Sequence, residues 1–237
     1  MRRAFLAFLL AICTKDVNAQ GDTLRRASVR TFAAVEASVG HPYQDEFETT
    51  AAFQQRLRAR FDTSAVVIEI DPSALSVKYD ADRAGFSVKP VMREVDVGAP
   101  VMTAYVAITT REINAVSGTH SASNGFGATA VVVDRISDRW TVASTIPDIG
   151  STGRGEAWLP AAPAAARSLK AALRYFVSGH LAVGPGSGAS ELLLDVDSAT
   201  FSSPIQTKIV THVLWMDAPE LQVVDARTHR ILARVGF

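Results

Sequence analysis

Ala65-Val66-Val67-Ile68-Glu69-Ile70-Asp71 is followed, after Pro72-Ser73-Ala74, by Leu75-Ser76-Val77-Lys78-Tyr79, by Asp80-Ala81-Asp82-Arg83-Ala84-Gly85 and by Phe86-Ser87-Val88. The first run is β-branched and apolar. In the second, Leu75, Val77 and Tyr79 alternate with polar residues, and the third is turn chemistry that lets Phe86 and Val88 resume the alternation. A period of two with turn residues between the runs is the signature of strands and hairpins. Working outward, residues 91–97 and 101–110 read as further strands. A hairpin is expected from 126–134 and 139–146, joined by Ile136-Ser137-Asp138. The C-terminal part reads as strands at 191–197, 205–216, 221–225 and 230–235, the last two around Asp225-Ala226-Arg227-Thr228.

Helical spacing appears in three places. Asp22 can cap a helix carrying Leu24, Phe32, Val35 and Val39, stopped by Gly40 and Pro42. From Thr50, Phe53, Leu57 and Phe61 fall four apart on one face, with Glu46 and Glu48 just ahead, where a helix dipole favours negative charge. An Ala-rich stretch at 164–180 places Leu169, Leu173, Phe176 and Val177 on one side and His180 in the last turn. Runs of strands separated by isolated helices predict an α+β fold: mainly antiparallel β-sheet with two or three packed helices. Ile149 to Gly155 reads as a linker, so an internal boundary in an otherwise single domain of residues 20–237 would fall near 149–160. Asp71-x-x-x-Leu75-x-Val77 is echoed by Asp217-x-x-x-Leu221-x-Val223, a likeness that any two hairpins with Asp turns can share.

The first nineteen residues have the three parts of a cleavable secretory signal. Arg2 and Arg3 precede an apolar run from Ala4 to Ile12, and Val17-Asn18-Ala19 supplies small residues for cleavage before Gln20. The run is far shorter than the roughly 20 residues of a membrane span, so no stable membrane insertion is expected after cleavage. Cys13 is the chain's one cysteine, and bulky Ile12 before it argues against lipidation. Cleavage at Ala19 would leave a protein with no disulfide, thiolate or cysteine ligand in an oxidising compartment. It would also leave 21 basic and 23 acidic residues, a balance without the basic excess that nucleic acid requires.

No residues converge visibly on a reaction. His41, His120, His180, His212 and His229 show neither a helical i, i+4 pair nor an HExxH motif, so no metal site is expected. Gly118-Thr119-His120-Ser121-Ala122-Ser123-Asn124 reads as a polar loop between strands, which makes His120, Ser121 and Ser123 the catalytic candidates. They lack a G-x-S-x-G elbow, and adjacency in sequence does not make a triad. Asp195 and Asp197 alternate on one strand face, a pattern that can bind calcium but is ordinary for solvated charge. Gly184-Pro185-Gly186-Ser187-Gly188 follows a helix and precedes a strand, the reverse of a dinucleotide loop, so no cofactor is expected.

Two segments carry a family resemblance. Asp45-Glu46-Phe47-Glu48-Thr49-Thr50-Ala51-Ala52-Phe53-Gln54-Gln55-Arg56, with its E-F-E-T element leading into a helix, resembles a stretch of uncharacterised exported bacterial proteins. The C-terminal segment from Pro204 through Thr228 is similar to their closing β-hairpin. The resemblance implies an envelope protein and carries over no catalytic residue. The expectation is a periplasmic or secreted binding or structural module, meeting an envelope protein or a small ligand at a sheet edge or groove. The alternative is an envelope hydrolase whose Ser, His and Asp meet only in three dimensions.

Overall fold

The computed structural model describes Leu24 and residues 29–40, 42–61, 65–96, 104–147, 155–185 and 188–237. The signal segment, Asp22, His41 and the linker residues 148–154 lie outside them. The chain is α+β, as its patterning predicts. Its strands are β1 (Val29–Arg30), β2 (Ala65–Glu69), β3 (Leu75–Asp80), β4 (Gly85–Pro90), β5 (Met92–Asp96), β6 (Ala104–Ser123), β7 (Thr129–Pro147), β8 (Ala157–Pro160), β9 (Leu173–Leu181), β10 (Ser190–Asp197), β11 (Ile205–Asp225) and β12 (Arg230–Gly236). The helices are α1 (Phe32–Val39), α2 (Thr50–Phe61) and α3 (Pro163–Ala172).

Strand β11 organises the large sheet, whose order is β1-β2-β9-β11-β7-β6-β5. Its first stretch, Ile205 to Met216, runs parallel to β7 and antiparallel to β10. Its second stretch pairs antiparallel with β9 and with β12. The register shifts between Asp217 and Glu220, where Ala218 takes a positive φ of 41°. Strands β3, β4 and β8 form a separate small sheet, so Ala157–Pro160, beyond the expected linker, pairs with a strand that precedes it. The two echoed Asp-x-x-x-Leu segments occupy different sheets: Asp71 caps a 3-10 turn at Pro72–Ala74 leading into β3, and Asp217 lies at the β11 irregularity.

One face of the large sheet carries the main core. Phe32, Val35 and Val39 of α1 and Phe53, Leu57 and Phe61 of α2 are buried with Ile68, Ile108, Val142, Val177, Leu214 and Met216. Phe86, Val88 and Leu159 of the small sheet join the same cluster. The helix from Thr50 therefore docks through the stripe its spacing defines. On the opposite face, Val95, Ala107, Ala143, Val213 and Trp215 make a second, smaller cluster against Tyr105 and Leu193.

Five expectations are corrected. The first helix does not extend back to residue 22, because Val29 and Arg30 pair in parallel with Val67 and Ile68. It starts at Thr31, whose hydroxyl accepts the Ala34 N–H at 3.2 Å, and Gly40 at φ 62° ends it. The third helix stops at Ala172 rather than 180. Leu173-Arg174-Tyr175-Phe176-Val177 is rich in aromatic and β-branched side chains and is buried as β9 between β2 and β11. His180 is consequently a strand residue. Ile136-Ser137-Asp138 is not a turn: each residue is laddered on both sides within β7. The turn lies instead at Asn124-Gly125-Phe126-Gly127, where Gly127 has φ 80° and the Asn124 amide oxygen accepts the N–H groups of Phe126 and Ala128. Residues 118–123, expected as a loop, are the end of β6. Finally, 205–216 and 221–225 are one bent strand.

Candidate functional site

The residues singled out by sequence do not assemble. His120 Nδ1 lies 2.9 Å from Asp134 Oδ2 across the β6–β7 ladder. Ser121 and Ser123 sit on the same strand, opposite Val131 and Thr129, and strand alternation sends Ser121 and Ser123 to the other face from His120. What remains is a His/Asp pair on an exposed sheet surface, and the one hydroxyl bonded to it among the described residues, Ser117 Oγ, donates to the Asp134 backbone carbonyl at 3.3 Å rather than to the His120 ring. His212 Nδ1 bonds Glu36 Oε1 at 3.0 Å and its ring stacks on Trp140 with centroids 5.5 Å apart, so it ties β11 and β7 to α1. His229 occupies the final hairpin turn with φ 58°. Glu48 is pinned by two bonds from Arg56 at 2.9 and 2.7 Å, which lower its carboxyl pKa. Asp195 and Asp197 are exposed, and Asp195 Oδ1 accepts the N–H of Val196. Among the described residues no group of His, Cys, Asp or Glu could hold a metal ion, and no helix is long and apolar enough to cross a membrane.

Polar side chains do converge inside the curl of the sheet, on the face away from α1 and α2. A register shift between Thr109 and Arg111 sets this up. Thr109 faces Thr141, then one residue is inserted, so Glu112 rather than Arg111 falls opposite Arg139 on that same face. Glu112 Oε1 accepts from Ser137 Oγ at 3.0 Å and Arg139 Nε at 3.2 Å, while its Oε2 accepts from Arg93 Nη2 at 2.9 Å. Burial pushes the Glu112 carboxyl up, but the bonds from Ser137 and Arg139 and the charges of Arg139 and Arg93 outweigh it, leaving the pKa below the usual value. Among the described residues the Thr109 and Thr141 hydroxyls and Arg93 Nε on this face are buried without a hydrogen-bond partner, as is Trp215 Nε1. Each such group costs about 1–3 kcal/mol, which core packing alone does not explain. A cavity of about 560 Å³ lies against this face, walled by Arg93 to Val95 on β5 and Leu192 to Asp195 on β10. Little in the sequence points to it: Arg93, Glu112 and Arg139 are unremarkable in strands, and the inserted residue that aligns them is visible only in the register.

A second feature lies on the other side of β10. Leu192, Leu194 and Val196 share one face and are 55%, 64% and 52% exposed. In register beside Leu194 come Val210, Asp138 and then exposed Ile113. Among the described residues β10 pairs only with β11, so its far edge is open. The alternation over 191–197 predicts a strand, but nothing in it shows that the strand lies at a sheet edge, which only the pairing reveals.

Comparison with protein-family models, with curated proteins and with solved structures gives no match. The functional reading therefore rests on the geometry.

Proposed function

We propose that this chain is an exported, non-enzymatic binding module of the cell envelope that takes an extended segment of a partner protein onto the open edge of β10. The observation that carries the reading is the apolar row Leu192, Leu194 and Val196, held on an edge strand and exposed over more than half of each side chain. An edge of this kind presents unpaired backbone groups and is normally blunted by charge, proline or cover. Here the bond from Val196 N–H to Asp195 Oδ1 closes part of it. Strand addition draws affinity from the main chain and specificity from alternate side chains.

The occupant follows from charge. The opposite face of β10 carries Glu191, Asp195 and Asp197, so antiparallel pairing of two copies of β10 would stack carboxylates against carboxylates. A segment alternating basic and apolar residues meets both faces, laying its apolar side chains over Leu192 and Leu194. Export rests on the Met1–Ala19 pattern. A photo-reactive residue at position 194 in the native host should cross-link to one partner, and that cross-link should disappear when Leu192 is changed to Glu. Cross-linking equal to that from position 58, on the outer face of α2, would refute the reading.

A further inference from the structure

The polar run that holds His120, Ser121 and Ser123 is the far end of β6, and its outer edge is open. Strand β5 pairs with β6 over 104–108, and Val91 and Asp71 bond Thr109 and Thr110. Strand β11 reaches along β7 only as far as Val133. Among the described residues 118–123 and 129–132 therefore form a two-stranded ribbon that runs on beyond the sheet. A lone two-stranded ribbon is marginally stable, and open strand edges are normally guarded by charge or proline. Between Ile113 and Val133 the chain has no Asp, Glu, Lys, Arg or Pro. His120 is the one titratable side chain there, and it is bonded to Asp134 within the same ribbon. The residue inserted between Val116 and Gly118 bends β6 and sets 118–123 apart as its last regular stretch.

We propose that two copies of this chain pair edge to edge through this end of β6, antiparallel and centred on Ser121. The Asn124 N–H donates to the Ala128 carbonyl at 3.0 Å, so Asn124 turns its amide toward β7. By alternation Thr119, Ser121 and Ser123 turn theirs outward. The three side chains share one face, opposite Val133, Val131 and Thr129. A two-fold axis through Ser121 sets Ser121 against its own copy and Thr119 against Ser123, and each of these pairs exchanges both backbone bonds. Facing Ser and Thr hydroxyls bond across strands, His120 falls opposite Ala122, and no like charges meet. The β10 edge differs, since its self-pairing would stack carboxylates. Phe126 lies five residues after Ser121 and Val116 five before it. The same axis therefore carries the turn holding Phe126, 98% exposed, to the part of the second copy where Val116 is 65% exposed. Both ends of the paired stretch gain an apolar contact, which a partner of unrelated sequence would not supply.

Sedimentation equilibrium of the mature protein over a range of concentrations tests this. Wild type should form dimers as concentration rises. Ser121→Lys and Ser121→Asp each set like charges against one another at the axis and should weaken dimerisation at least about tenfold. An equimolar mixture of the two variants should dimerise again, because lysine then faces aspartate. Should either variant fail to fold, Ser121→Cys serves. The mature chain has no other cysteine, and facing residues about 5.5 Å apart at Cα can be bridged, so oxidation should give a covalent dimer. Val131→Cys, exposed on the β7 side of the same ribbon, should not cross-link. A wild type that stays monomeric at about 1 mM, a dimer indifferent to both charges, or a mixture no better than its components would overturn the proposal. So would equal cross-linking from positions 121 and 131.

Discussion

Leu57→Ala in α2 should cost about 2–5 kcal/mol, because the side chain is fully buried and its removal leaves both lost transfer energy and a cavity. The number follows from the position of the helix. Phe53, Leu57 and Phe61 are its three buried residues, and everything else on it is polar, small or exposed. Phe53→Ala should cost about 3–5 kcal/mol by the same reasoning. Part of that loss belongs to Arg56, whose guanidinium lies 5.1 Å from the Phe53 ring centroid. Arg58, one residue on from Leu57, is exposed, and Arg58→Ala should cost less than about 0.5 kcal/mol. Urea unfolding of the three variants measures the contrast, with equal slopes required so that the midpoints report stability alone. Because Phe53 and Leu57 lie one turn apart in one cluster, the double variant should cost measurably less or more than the sum. A Leu57→Ala loss no larger than that of Arg58→Ala would show that α2 is not docked on the sheet, and the account of the core would fail.

Gly184→Ala should destabilise by about 1–3 kcal/mol, since an added Cβ would overlap the indole of fully buried Trp215. A lowered thermal midpoint with altered tryptophan fluorescence checks it, and an unchanged midpoint refutes it. The depressed Glu112 pKa means that its stabilising contribution is complete above the unfolded value of about 4.3 and is lost as pH falls through the lower folded value. Glu112→Gln should therefore be less stable than wild type at neutral pH, with the gap narrowing on acidification; a gap independent of pH would contradict the linkage. Intact-mass measurement on the exported protein should give an N-terminus at Gln20, and a mass retaining residues 1–19 would contradict the cleavage site.

Sequence legibility varied with how local the determining interactions are. The stripe on α2 and the alternation in β3 and β4 depend on neighbours within one element, and both were readable. The end of α3 was not, because Leu169, Leu173 and Phe176 fit a helical spacing as well as a strand. What decides for β9 is its place between β2 and β11, a long-range fact. Ile136-Ser137-Asp138 carries turn residues, yet Ser137 is buried and spends its hydroxyl on Glu112. The stronger hairpin signal is Asn124-Gly125, which follows the polar run 118–123 directly and turns β6 into β7. The polar knot of Arg93, Glu112 and Arg139 was illegible for a sharper reason. Plain alternation puts Thr109 and Glu112 on opposite faces, and only the inserted residue in β6 brings them together.

The open edge of β10 is tested most directly by amide hydrogen exchange on the mature protein with a peptide alternating lysine and valine. Exchange at the outward-facing amides of Leu192 to Asp195 should slow when the peptide is added. A peptide alternating glutamate and valine should leave them unchanged, because the Glu191, Asp195 and Asp197 face repels it. Equal protection by both peptides, or none by either, would contradict the assignment of β10 as the partner-binding strand.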